Sequence, residues 1–137
     1  MTTEPVRDTK VMLRGMTPSL DAADYVFCTT EDEQLAAQAA FVSLGWFREA
    51  EGMSLILPAG DAQRLGFDTT LRMRRITLTV FSSLEGVGLT AAVATALAKH
   101  NISCNMVAAY HHDHVFVPTA DAEEAMRVLL DLQAAAG

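Results

Sequence analysis

Short apolar runs and helical stripes follow one another in the order strand, helix, strand, strand, helix, and that order is met twice within 137 residues. Such a split βαβ order folds as a small antiparallel sheet with its helices packed on one face. The second occurrence is the plainer one. In Arg75 to Phe81, Ile76, Leu78 and Val80 alternate with Arg75, Thr77 and Thr79, the period-two pattern of a half-buried strand. After a loop at Ser82 to Val87, Leu89, Ala92, Val93, Ala96 and Leu97 form a helical stripe with the spacing of one buried face. Lys99 and His100 suit the negative end of that helix, and Asn101 suits a left-handed cap. Ile102 to Tyr110 and His114 to Val117 read as two strands joined near His112-Asp113. Pro118-Thr119 then opens a last helix that buries Ala122, Met126, Leu129 and Leu130.

The first occurrence is less regular. Residues 1–9 read as a frayed polar end, Lys10 to Leu20 as a strand broken at Gly15 and Pro18, and Asp21 to Asp24 as a turn. Tyr25 to Thr29 is a short buried strand. Thr30-Glu31-Asp32-Glu33 has capping-box form, with Thr30 as N-cap and Leu35, Ala39 and Val42 as the buried stripe, stopped by Gly45. Trp46 to Ala50 and Met53 to Leu57 flank Glu51-Gly52 as a tight hairpin, ended by Pro58, and Ala59 to Leu65 forms a short helix before Gly66. The expected object is α+β: two packed ferredoxin-like units, 1–70 and 71–137, with open sheet faces and edges that favour pairing. The strand at 75–81 fits the count of either unit.

Composition narrows the function. Half the residues are hydrophobic, enough to offset the entropy of ordering a chain of this size. A formal charge of −7 repels phosphate backbones and anionic lipid, so neither nucleic acid nor membrane is an expected partner. No stretch approaches the length of an apolar span, and no leader-like run follows Met1. Cys28 and Cys104 form no CxxC motif, and thiols in apolar strands behave as small buried hydrophobes with raised pKa. A soluble, cytoplasmic protein is expected.

Two places offer chemistry. In Ser82-Ser-Leu-Glu-Gly-Val-Gly-Leu-Thr90 two glycines stand between strand and helix. Backbone N–H groups at Glu85, Gly86, Val87, Gly88 and Leu89 would face outward at a positive helix end, where a carboxylate or phosphate docks; the alternative is a plain tight turn. The loop is neither GxGxxG nor a P-loop. The second place is Tyr110-His111-His112-Asp113-His114, with Asn105 upstream. Asp113, at a strand end, can pair with an ammonium or guanidinium group. His112 and His114 share a strand face, so a metal would need further ligands from elsewhere, and no cofactor is expected. A serine triad lacks its GxSxG elbow. The Arg72, Arg74, Arg75 run lacks interleaved aromatics for nucleic acid.

Ser83 to Ala91, Asn101 to Asn105, Ala109 to Pro118 and Phe47 to Pro58 together resemble the small bacterial proteins with two ACT domains, over nearly the whole chain. The C-terminal unit also resembles the ACT units of CASTOR-type arginine sensors, in which an aromatic and an aspartate stand in the place of Tyr110 to Asp113. The resemblance implies a non-enzymatic regulatory or sensing module that binds a free amino acid at an interface between ACT units and forms a homodimer. Its site would join the N–H groups at Glu85 to Leu89 with Asp113, Asn105 and Tyr110. The alternatives are a structural or protein-interaction dimer without ligand, and a metal-binding protein using His112, His114 and Asp113.

Overall fold

The computed structural model describes residues 9–79 and 88–136. The chain gathers into two compact units, one formed by Ala22–Met73 and the other by Met1–Asp21 with Arg74–Gly137. The expected division into 1–70 and 71–137 follows the order of the repeats along the chain, whereas compactness places the first 21 residues with the C-terminal half.

That grouping has a physical origin in α1 (Thr9–Gly15). The segment expected as a broken strand is a helix, because Met12, Leu13 and Met16 fall on one side of a turn and are almost completely buried. They enter a core with Ile76, Leu78, Leu89, Val93 and Leu97. Strand β1 (Thr17–Thr30) follows as one continuous element. The turn expected at Asp21 to Asp24 does not form. The carbonyl of Asp21 accepts from Arg74 Nε at 2.8 Å, and its carboxylate pairs with Arg75 at 2.9 Å. Both contacts hold this polar stretch extended beside the strand that carries Arg74 and Arg75.

In the unit of Ala22–Met73, the later part of β1 pairs antiparallel with β3 (Gly52–Pro58), which pairs antiparallel with β2 (Gly45–Glu49). Helices α2 (Glu33–Val42) and α3 (Ala59–Arg64) border a small core of Val26, Ala39, Leu55, Leu57, Ala59 and Ala62. The cap of α2 lies two residues beyond the expected one. Asp32 Oδ1 accepts from the N–H of Gln34 at 2.9 Å and of Leu35 at 3.2 Å, while Thr30 Oγ1 accepts from the Asp32 N–H. A carboxylate is the better acceptor at a positive helix end, so Asp32 takes the cap from Thr30. The hairpin forms as expected, with Glu49 opposite Gly52.

In the other unit, the strand order runs from the start of β1 through β4 (Met73–Thr79) and β6 (Asp113–Pro118) to β5 (Asn105–Ala108). Ile76, Leu78, Val115 and Val117 share one core with α1, α4 (Leu89–Lys99) and α5 (Ala122–Ala136). Asn101 closes α4 with φ of 58°. The N–H of Asn101 reaches the carbonyl of Ala98, and that of Ile102 the carbonyl of Leu97. This is the Schellman pattern, with Ile102 and Leu97 both buried in that core. The face of α5 is rotated from the expected one. Ala125 and Val128 join Ala122 and Leu129 inside, whereas Leu130 is 49% exposed. Val80 and Phe81 at the end of the expected strand, and the loop Ser82 to Val87, lie outside the described residues.

Candidate functional site

Of the residues singled out for ligand contact, Gly88, Leu89, Asn105, Tyr110 and Asp113 are described; Glu85, Gly86 and Val87 lie outside the described residues. Gly88 is the N-cap of α4, with φ of 103° and no side-chain cap hydrogen bond among the described residues. That φ belongs to glycine. A Cβ here would run into Thr9 Oγ1 of α1, which places Thr9 beside Gly88, a neighbour with no signal in the local sequence. Leu89 turns its side chain into the core and is 5% exposed, so only its backbone can face a ligand.

The hairpin between β5 and β6 presents the second group. Ala108 stands opposite Asp113 and Asn105 opposite Phe116. The connection is therefore Ala109 to His112, closed by the Ala109 N–H on the His112 carbonyl at 3.1 Å, and starts earlier than the expected join at His112-Asp113. Side chains alternate along a strand, so Asp113 lies on the face of Val115 and Val117 while Asn105 shares the other face with His114. The structure does not bring these two side chains to one face. Tyr110 is 82% exposed at the tip and meets the His111 ring edge to face at 5.0 Å.

Electrostatics mark the start of β6. Burial raises the Asp113 pKa above the usual carboxylate range, and the charges of His114 and His112 only partly oppose this. Its carboxylate makes no hydrogen bond or ion pair among the described residues. His112 Nδ1 is buried without a hydrogen-bond partner among the described residues. His114 shares a hydrogen bond of 3.0 Å with Thr77 Oγ1 of β4. Burial, then the charges of Arg75 and His112, lower its pKa, with Asp113 acting the other way. This contact sets the start of β6 beside the later part of β4, from which the chain continues toward Gly88.

The cysteines behave as expected in chemistry, less so in place. Burial pushes the Cys28 thiol up to about 11 and raises that of Cys104; Cys104 sits just before β5, outside a strand. Among the described residues no three His, Cys, Asp or Glu side chains gather as metal ligands, and no helix is long and apolar enough to cross a membrane.

Two successive family models match the chain, both described as ACT domain, at residues 4–74 and 70–131. The chain belongs to the ACT-domain family and carries two ACT units in tandem, each a ferredoxin-like α+β fold. A Vibrio cholerae protein of unknown function, described as a possible transport protein, is 44% identical, with 90% of this chain and 94% of that chain covered and a TM-score of 0.80. The ligand-free regulatory subunit of aspartate kinase from Thermus thermophilus is 15% identical, with 86% and 97% covered and a TM-score of 0.65. Clostridium acetobutylicum aspartate kinase, an allosteric enzyme, is 13% identical, with 88% of this chain and 34% of that chain covered and a TM-score of 0.64. At these identities the two kinase likenesses concern the fold alone. No curated protein sequence matches this one. Tandem ACT domains fit a regulatory module.

Proposed function

We propose that the protein is a non-enzymatic, cytoplasmic regulatory module that binds a free amino acid and works as a homodimer. The observation that carries this reading is Asp113, a half-buried carboxylate whose charged form is disfavoured by burial, only partly offset by His114 and His112, and which makes no hydrogen bond or ion pair among the described residues. A ligand ammonium would relieve that desolvation. The ligand carboxylate would meet the N–H groups of the turn at Glu85, Gly86, Val87, Gly88 and Leu89, at the start of α4, whose N-cap is a glycine. The unpartnered His112 Nδ1 gives a further polar contact beside Asp113, and Tyr110 at the hairpin tip is exposed for contact with the ligand or a second subunit. Asn105, set on the opposite sheet face, stands apart from this group.

The fold likeness to an aspartate kinase regulatory subunit supports a regulatory role, and the similarity of the C-terminal unit to the arginine sensors is a finer part of the same proposal. A second subunit related by a twofold axis would supply the facing ACT unit and create two equivalent sites. A thermal-shift series over the common amino acids tests the reading. At least one should raise the melting temperature of the wild type and fail to do so for Asp113→Ala. No shift with any of them at millimolar concentration would overturn it.

A further inference from the structure

A cleft of about 560 Å³ opens within the unit of Ala22–Met73, between α2 and the hairpin of β2 and β3. Its origin is in the sequence: α2 turns Ala36, Ala37 and Ala40 toward it, and side chains this short leave the space between helix and edge strand unfilled. Met53 adds a flexible apolar wall. Trp46 is half exposed on the other side, and the Arg48 guanidinium stands 5.8 Å from its ring centroid. The indole face is thus already used to hold a cation.

The charges that line the cleft are not equally committed. Arg48 is engaged with Trp46, and Glu49 accepts the hydroxyl of Ser54. Glu31 and Glu33, at the mouth, have no ion pair among the described residues. Asp32, which lies between them, is spent on the helix cap. An apolar floor, an indole wall and two carboxylates without an ion pair among the described residues complement one kind of occupant: a small organic cation with an apolar or aromatic body.

The geometry points to this cleft as a binding site for a primary amine of that type, separate from the site proposed at Gly88 and Asp113 and independent of it. The ammonium lies at Glu31 and Glu33, while the body covers the methyl groups of Ala36 and Ala40 and the free part of the Trp46 ring.

Trp46 is the single tryptophan of the chain, so its fluorescence reports on this cleft. Three probes with similar bodies separate the contributions of charge: phenethylamine, phenylacetate and L-phenylalanine. Phenethylamine should change the emission saturably, and more tightly than either of the others. The double substitution Glu31→Gln with Glu33→Gln should weaken it about tenfold. Ala37→Leu, which fills the cleft from an exposed helix position, should abolish the response, while Asp113→Ala leaves it intact. Equal or tighter binding of phenylacetate or L-phenylalanine, an amine response that survives the double substitution, or no saturable response would overturn the proposal. Because the readout and the variants belong to one unit, its failure leaves the reading of Asp113 untouched, and the reverse also holds.

Discussion

Gly52→Ala tests the hairpin that borders the cleft. Gly52 has φ of 147°, outside what L side chains readily adopt, and a Cβ would stand 2.7 Å from the carbonyl oxygen of Thr30 and 3.2 Å from its carbon. Those atoms are backbone, and Thr30 is held in register opposite Met53, so β1 cannot move aside without giving up strand pairing. Strained backbone of this kind costs about 1–3 kcal/mol. With a further ~1 kcal/mol for displacing the neighbouring strand, the substitution should cost about 2–4 kcal/mol. A chain of this length has roughly 7–20 kcal/mol in all, so the loss is readily measured. In urea, with a slope of about 1–3 kcal/mol per molar, the midpoint should fall by roughly 1–2 M. Gly45→Ala, where a Cβ meets nothing within 4 Å, is the control and should shift it little. A midpoint for Gly52→Ala within about 0.3 M of wild type would refute the reasoning.

Removing the cap with Asp32→Ala should cost about 1 kcal/mol in the same assay, as two helix N–H groups lose their acceptor. At the left-handed Asn101, alanine should cost about 1 kcal/mol and glycine almost nothing, since only the former meets the Cβ penalty. Asp113 has a raised pKa in the fold, so its contribution is fully present below the ordinary carboxylate range and is lost as pH rises through the folded value. Asp113→Asn should therefore melt higher than wild type at neutral pH, with the gap closing toward pH ~4. His114 has a lowered pKa, so its contribution is full above about pH 6.5 and fades as pH falls through the folded value. The melting temperature of His114→Gln should fall less than that of wild type over this range.

Much of the fold was legible because periodicity and burial agreed. Ile76 and Leu78 alternate and are buried as alternation requires, and Leu89, Val93 and Leu97 form the inner stripe of α4. Asn101 and Gly52 were legible for a different reason, since few residues tolerate their backbone geometry. The failures share a cause. Lys10 to Gly15 is too short for a period to decide between helix and strand, and tertiary burial of Met12 and Leu13 settled it as helix. Asp21 and Asp24 look like turn residues locally, but Arg74, Arg75 and Arg72 answer them across the sheet or within the same unit, and such long-range partners leave no local trace. The exposure of Leu130 reflects a stripe shifted by one position, for which Met126 and Leu130 looked as apolar as Ala125 and Val128.

The site was legible in its parts and less so in its assembly. A turn with glycines and a carboxylate at a strand end could be read from residue types, and Gly88 takes a left-handed conformation open to glycine. That Asn105 and Asp113 fall on opposite faces depends on the register of β5 against β6, which a one-residue change in hairpin length would reverse. Thr9 had no signal in the sequence, and His112 was singled out there only as one of a cluster of polar groups; that its Nδ1 lies buried without a hydrogen-bond partner among the described residues depends on which distant segments pack nearby.

The most direct measurement is calorimetric titration of the purified protein with the amino acid that gives the largest thermal shift, alongside Asp113→Ala. Saturable heat from the wild type and none from the variant is the expected result. Undiminished binding by Asp113→Ala would contradict the assignment of the ammonium partner and with it the account of the site.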